Sequence, residues 1–257
     1  MPYKELTRSI VETIAGLDTR KGRKKTGLFK AEGEKCVADT LGHFPLELLV
    51  ATSEWIDRHP EIPGAILAGP GKMREMSSLT TPADVIAVYR IPEPEPLPEP
   101  DCGLMLALDT IQDPGNLGTI IRVADWFGVE HILCSHETVS CYSPKVIQAT
   151  MGSISRIKLH YCNLPETLSA MKVKAAEIGM EFPVYGTFLD GDPIGEAHLM
   201  QQGVIITGNE GNGISPEVAA TVTHRLLIPS WPAGRPTGES LNAAIATAIT
   251  LAKFRGI

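Results

Sequence analysis

Three stretches in the C-terminal half of the chain concentrate polar side chains and glycine where ordinary connections would not. The first, Leu108–Arg122, reads LDTIQDPGNLGTIIR; Asp113-Pro114-Gly115 is turn chemistry, and Asn116 can cap the helix that follows. Arg122 lies six residues on, among Ile120, Ile121, Val123 and Ala124, and its guanidinium requires an anion, either a ligand or a structural partner such as Asp125. The second, Ile206–Pro216, reads ITGNEGNGISP, whose glycines let backbone amides approach a ligand closely. Its spacing matches neither the GxGxxG dinucleotide turn nor a GxxxxGKS/T phosphate loop, which disfavours an NAD or ATP site. Glu210 within it is either an exposed loop acid or a hydrogen-bonding group for a ligand. The third, Ile228–Asn242, reads IPSWPAGRPTGESLN. Ser240 or an upstream neighbour is a plausible N-cap for the apolar helix after it, with Asn242 in the first turn, and such a terminus offers unpaired N–H groups to an oxygen-rich ligand.

These stretches need elements to hold them. Apolar strands are predicted at Leu104–Leu108, His131–Cys134, Ile157–His160, Val184–Phe188, Val204–Thr207 and Arg225–Ile228, alternating with helices. Near-continuous apolar strands between helices imply a mostly parallel sheet covered on both faces, and each of the three stretches follows a strand, where open α/β sheets bind ligands. Leu241, Ala244, Ile245, Ala248, Ile249 and Ala252 give the final helix an apolar stripe. The first ninety residues alternate helix and strand in a smaller α/β pattern, with strands near Leu28–Ala31, Leu46–Ala51, Ala65–Ala68 and Val85–Tyr89. Between the two halves lies Ile91–Pro100, IPEPEPLPEP, whose prolines forbid helix and ladder alike; as polyproline II it would span ~31 Å. The expected division is therefore 1–90, a linker at 91–101, and 102–257.

At 257 residues with 43% hydrophobic and 21% charged side chains, the chain has the composition of a globular protein, not a disordered one. It contains no ~18-residue apolar run, and Met1–Leu17 is interrupted by charges, so a cytoplasmic location is expected. Five cysteines with no CxxC pairing suggest neither a disulfide framework nor a metal site. The net charge of −7 weighs against a nucleic-acid partner, yet residues 1–90 carry 13 basic and 12 acidic side chains and include Arg20, Lys21, Arg23, Lys24 and Lys25 within six positions. Such a run is expected to stay out of the core, as a solvated loop or as a handle for phosphates.

The three stretches, DPGNLGTIIRVADWFGV, TGNEGNGIS and IP…GESLNAAIATAI, occur in the order of the signature motifs of the SpoU/TrmH family of RNA ribose 2′-O-methyltransferases, in the SPOUT superfamily, and closely resemble them. The first ninety residues, with GLFKAEGEKCVADTL after the basic run, resemble the L30e-like substrate-binding domain that many members carry. The resemblance implies an α/β fold with a trefoil-knotted parallel-sheet methyltransferase domain and a smaller N-terminal domain. It implies S-adenosylmethionine as cofactor, bound at positions matching Thr187, Gly208, Ile228, Ser240 and Leu241, with no metal. Its functional polar positions fall on Asn116, Arg122, Glu210, Ser240 and Asn242. The implied reaction is methyl transfer to a ribose 2′-hydroxyl, on ribosomal more than transfer RNA, by a homodimer placing the Arg122 position near the other subunit's cofactor. The Arg20–Lys25 run would then contact RNA. A non-catalytic RNA-binding or ribosome-assembly factor with the same fold is the alternative. The sequence departs from the family pattern in the third motif, where the link Ser230–Gly238 is expanded.

Overall fold

The computed structural model describes residues 5–232, 238 and 240–257, so most of the expanded third-motif link lies outside the described residues. In chain order the first elements are α1 (Arg8–Gly16), α2 (Arg20–Thr26), β1 (Leu28–Glu32), α3 (Glu34–Thr40), β2 (Leu46–Ala51), α4 (Ser53–Arg58), β3 (Ile66–Leu67), α5 (Pro70–Met76) and β4 (Val85–Arg90). There follow β5 (Leu104–Leu108), α6 (Pro114–Trp126), β6 (His131–Cys134), α7 (Pro144–Thr150), β7 (Lys158–Tyr161) and α8 (Leu164–Glu177). The last are β8 (Val184–Pro193), β9 (Gly203–Thr207), α9 (Pro216–Ala219), β10 (His224–Leu227) and α10 (Ala243–Phe254). The chain divides into two compact units, one of residues up to Glu93 with Ser140–Ser155, the other of Pro94–Val139 with Arg156–Ile257.

The first unit has a four-stranded sheet, β1-β4-β2-β3, in which β4 runs antiparallel to both neighbours and β3 parallel to β2. Val11, Ile14 and Leu17 from α1 and its end pack with Val50, Ile66, Met73, Met76, Ile86 and Val88. Helix α7 packs on β1 in this unit, with the Tyr142 ring 4.8 Å from Phe29 and Val146 and Ile147 buried. The boundary read from sequence, which gave all of 102–257 to one domain, does not anticipate this excursion, because periodicity shows that α7 has an apolar face but not what covers it.

The basic run forms a helix, and one member of it is buried. The Thr19 side chain caps α2 by accepting from Gly22 N at 3.0 Å, and Gly27 ends it at φ 66°. Arg23 is 6% exposed and donates to the carbonyls of Leu17 at 2.8 Å and Asp18 at 3.2 Å, which corrects the expectation that the whole run faces solvent. The guanidinium is tolerated there because it satisfies carbonyls at the end of α1 that the helix leaves without partners.

The second unit holds a six-stranded, wholly parallel sheet in the order β10-β8-β9-β5-β6-β7. From β5 the chain steps outward to β6 and β7, and β8 and β9 lie on its other side, so the direction of winding reverses at β5. The C-terminal ends of β5 and β9 are therefore where such a sheet opens a ligand crevice. Side chains alternate across the sheet: Met105, Ala107, Val204 and Ile206 pack with Leu164, Leu168 and Met171 of α8. Thr207 points the other way, where its hydroxyl meets that of Thr247 on α10 at 2.9 Å, and α10 packs against α6. Residues Pro94–Pro100 belong to this unit and are tied to it by Glu95–Lys158 and Glu99–Lys174 ion pairs of 3.3 and 3.0 Å. Among the described residues no helix is long and apolar enough to cross a membrane.

Candidate cofactor cavity and polar cluster

A cavity of about 580 Å³ opens at the C-terminal ends of β9 and β10, beside the middle of β8. Its walls are Thr187–Leu189, Thr207–Ile214, Leu227–Ile228 and Ser240–Leu241, with Ala243 and Ala246 of α10. All five positions expected to hold a cofactor, Thr187, Gly208, Ile228, Ser240 and Leu241, are among them. The glycine-rich turn is held by a small ladder, Asn209 N to Gly213 O at 2.8 Å and Gly213 N to Asn209 O at 2.9 Å. A Cβ at Gly208 would fall 2.2 Å from the Gly213 carbonyl carbon, so only glycine lets the two backbones meet.

Three of the expected polar residues form one directed chain. Glu210 Oε1 accepts from Asn116 Nδ2 at 2.9 Å, and Asn116 Oδ1 accepts from Asn242 Nδ2 at 2.8 Å. Asn242 Oδ1 in turn accepts from the backbone N–H of Ala244 and Ile245 at 3.0 and 3.2 Å. A carboxylate can only accept and a helix N–H can only donate, so both amide orientations are determined from the two ends. Two capping expectations change here. Asp113, not Asn116, caps α6, accepting from Asn116 N at 2.7 Å; Asn242, not Ser240, caps α10. Asn116 is thereby free to spend its side chain on Glu210.

Asn209 and Thr110 were not singled out from the sequence. Asn209 Oδ1 accepts from Gly211 N and Asn212 N at 2.9 and 3.0 Å, and its Nδ2 donates to Thr110 O at 2.8 Å. The run of asparagine between glycines was the available signal, since asparagine closes such turns with its own side chain. Thr110 sits at φ 59°, an outlier for a β-branched residue that costs of order 1–3 kcal/mol. Ser135 Oγ holds it by accepting from Thr110 N at 3.0 Å, and buried Asp109 accepts from Ser215 N at 2.7 Å.

Arg122 is exposed on α6 and makes no ion pair among the described residues. Asp125, its possible structural partner, is instead bound by Arg156, whose Nε and Nη2 both donate to it. Arg122 lies outside the lining of the cavity in its own chain. On the same helix Trp126 is 85% exposed, and Ile245 and Ile249 on α10, with Leu241 just before it, are exposed as well, so the two packed helices leave an apolar surface uncovered. Of the basic run, Arg20, Lys21, Lys24 and Lys25 are exposed.

Residues 103–252 match the SpoU rRNA Methylase family. The chain belongs to that family. Residues 8–87 match the MRM3-like substrate binding domain, so the separate N-terminal domain is a substrate-binding one. Among relatives, the 23S rRNA (guanosine(2553)-2′-O)-methyltransferase RlmP of Bacillus subtilis is 31% identical over 93% of this chain and 93% of its own. A solved AdoMet-bound rRNA methyltransferase from Sinorhizobium meliloti is 30% identical, with a TM-score of 0.82 over 99% of this chain and 98% of its own. A solved TrmH-family protein from Porphyromonas gingivalis is 38% identical, with a TM-score of 0.84 over 97% and 98% of the two chains.

Proposed function

We propose that this protein transfers the methyl group of S-adenosylmethionine to a ribose 2′-hydroxyl of structured RNA, and that the RNA is ribosomal. The observation that carries the reading is the cavity, lined by the second and third motif segments and tied to the first through the Asn116–Glu210 hydrogen bond, whose only charged lining residue, among those described, is the carboxylate Glu210. Walls that mix aliphatic and aromatic side chains with neutral polar groups around a single anion suit a cation with an apolar body, and the absence of lysine or arginine from the described lining disfavours a polyphosphate. The relatives support the same reading, since RlmP is named for 2′-O-methylation of 23S rRNA and the Sinorhizobium structure for bound AdoMet.

When bound, S-adenosylmethionine supplies a methyl group on a cationic sulfur. Thr187, Gly208, Ile228, Ser240 and Leu241 would hold it, largely through backbone groups. The Asn242–Asn116–Glu210 chain keeps the Glu210 carboxylate at the cavity, and much of the rate comes from such positioning of two substrates. Arg122 binds the phosphate beside the target ribose and stabilises the negative charge that grows on the 2′-oxygen as the hydroxyl proton passes to water; a guanidinium is too persistently charged to be a simple general base.

Since Arg122 does not line its own chain's cavity, the active form is read as a homodimer, joined through the exposed Trp126, Leu241, Ile245 and Ile249 and bringing Arg122 to the second copy's cavity. The backbone through the second and third motif segments is proposed to be a trefoil knot, and the enzyme to be cytoplasmic. In the N-terminal domain the exposed Arg20, Lys21, Lys24 and Lys25 contact RNA phosphates, while Arg23 acts as the brace of α2. The test is transfer of labelled methyl from S-adenosylmethionine to ribosomal RNA, followed by digestion to nucleosides. A 2′-O-methylated nucleoside is expected; RNA binding without any transfer would favour the assembly-factor alternative.

A further inference from the structure

Strand β8 leaves its ladder in the middle. On β10, Arg225 is opposite Gly186 and the next residue, Leu226, is opposite Asp192, so Thr187–Gly191 bulges out between two adjacent partners. Thr187, Phe188 and Leu189 of this bulge line the cavity. Glycines at its ends allow the tight fold: a Cβ on Gly186 would lie 2.5 Å from the Phe188 ring, and one on Gly191 would lie 2.6 Å from the β10 backbone.

One side chain grips this bulge at two points. The Arg225 guanidinium carbon stands 3.5 Å from the centre of the Phe188 ring, and its Nη2 donates to Asp190 Oδ1 at 2.5 Å. Only an arginine combines a flat cationic face for an aromatic ring with in-plane donors for a carboxylate. The contact also holds the Asp190 carboxyl below its ordinary range. Arg225 itself does not line the cavity, so whatever it does for a ligand it does through Phe188 and its neighbours.

We propose that Arg225 is a positioning residue for the methyl-donor cavity: by gripping Phe188 and Asp190 it fixes Thr187–Gly191 as one wall and sets donor affinity without joining the transfer. The inference rests on the cofactor reading above. An exposed ion pair and a ring contact of this kind together predict an effect of about three- to tenfold.

The test is calorimetric titration of S-adenosylhomocysteine into the full-length protein and its Arg225→Met, Arg225→Lys and Asp190→Asn variants, with steady-state kinetics on ribosomal RNA alongside. Arg225→Met should weaken Kd about tenfold and raise the KM for S-adenosylmethionine equally, with kcat within about twofold. Arg225→Lys and Asp190→Asn should each lose about threefold. Wild-type-like Kd in all three variants, or a fall in kcat at unchanged KM, would overturn the proposal. If Arg225→Met loses its circular dichroism spectrum, the two milder variants decide the matter. No binding by the wild-type protein would overturn the cofactor reading itself, and this inference with it.

Discussion

The two units treat charge in opposite ways. In the first, Lys30 is fully buried, yet its ammonium reaches Asp18 at 2.9 Å, Glu32 at 3.0 Å and the Met76 carbonyl at 2.5 Å. Glu32 also accepts from both Ser77 and Ser78 side chains at 2.5 Å. Burial pushes the Glu32 carboxyl up, but Lys30 and the two serines outweigh it and hold it below its ordinary value. In the second unit the polar chain Asn242–Asn116–Glu210 collects at the strand ends beside one cavity. Buried charge in the first unit is thus saturated by local partners and serves architecture, whereas the cavity-lining Glu210 and the exposed Arg122 are the groups proposed above to act on ligands outside the chain.

The contrast can be broken most sharply at Lys30. Lys30→Met strands the buried Glu32 and should lower stability by about 3–5 kcal/mol, read by the fluorescence of Trp55, the buried tryptophan of that unit, in a background carrying Trp126→Phe and Trp231→Phe. Binding of S-adenosylhomocysteine should survive at temperatures where the variant remains folded. Next in size, Arg122→Ala should cost about 10²- to 10³-fold in kcat with little loss of stability, and Arg122→Lys should recover only part of it because the planar fork is lost. A normal rate in either variant would contradict the role given to Arg122.

Replacing Arg20, Lys21, Lys24 and Lys25 by glutamine should weaken RNA binding and flatten its salt dependence, by about 0.7–0.9 in slope for each phosphate contact removed, at unchanged donor affinity. The smallest effect concerns pH. His131 and His160 face each other in the second unit, Nδ1 to Nε2 at 3.1 Å, with Lys158, Glu130 and Glu95 nearby. Burial first, and neighbouring positive charge second, lowers both below their ordinary value of 6.5. The unfolded chain therefore takes up protons first, and stability of this unit falls as the pH drops below about 6.5. Glu32 is lowered too, so its contribution is present above about pH 4.5 and is lost only as the pH falls through its folded value. Between pH 7.5 and 5.5, urea midpoints from Trp55 fluorescence, read with Trp126→Phe and Trp231→Phe in place, should move less than those from far-ultraviolet circular dichroism; the reverse order would count against this division of labour.

Much of this was legible in the chain. The six apolar runs of the second unit became six parallel strands, because burial on both faces leaves a continuous apolar signature that needs no partner information. The three polar stretches were equally visible, since glycine and amide side chains beside apolar strands are costly unless used. What stayed hidden depended on partners. Arg23 reads as one of five surface cations until the carbonyls at the end of α1 are placed beside it. Asn116 and Ser240 read as caps because the residues that do cap, Asp113 and Asn242, are equally good cap types a few positions away. The Thr187–Gly191 bulge gives no periodic signal, being shorter than either repeat can reveal, and α7 changes unit without any change in composition.

The assigned chemistry depends on where the methyl donor sits. A crystal structure of the full-length protein with S-adenosylhomocysteine tests it most directly. The ligand should occupy the space bounded by Thr187–Leu189, Gly208–Ile214, Ile228 and Ser240–Leu241, with Glu210 still bonded to Asn116. Density for the ligand at any other place, with this space closed, would contradict the assignment of the cavity and the chemistry built on it.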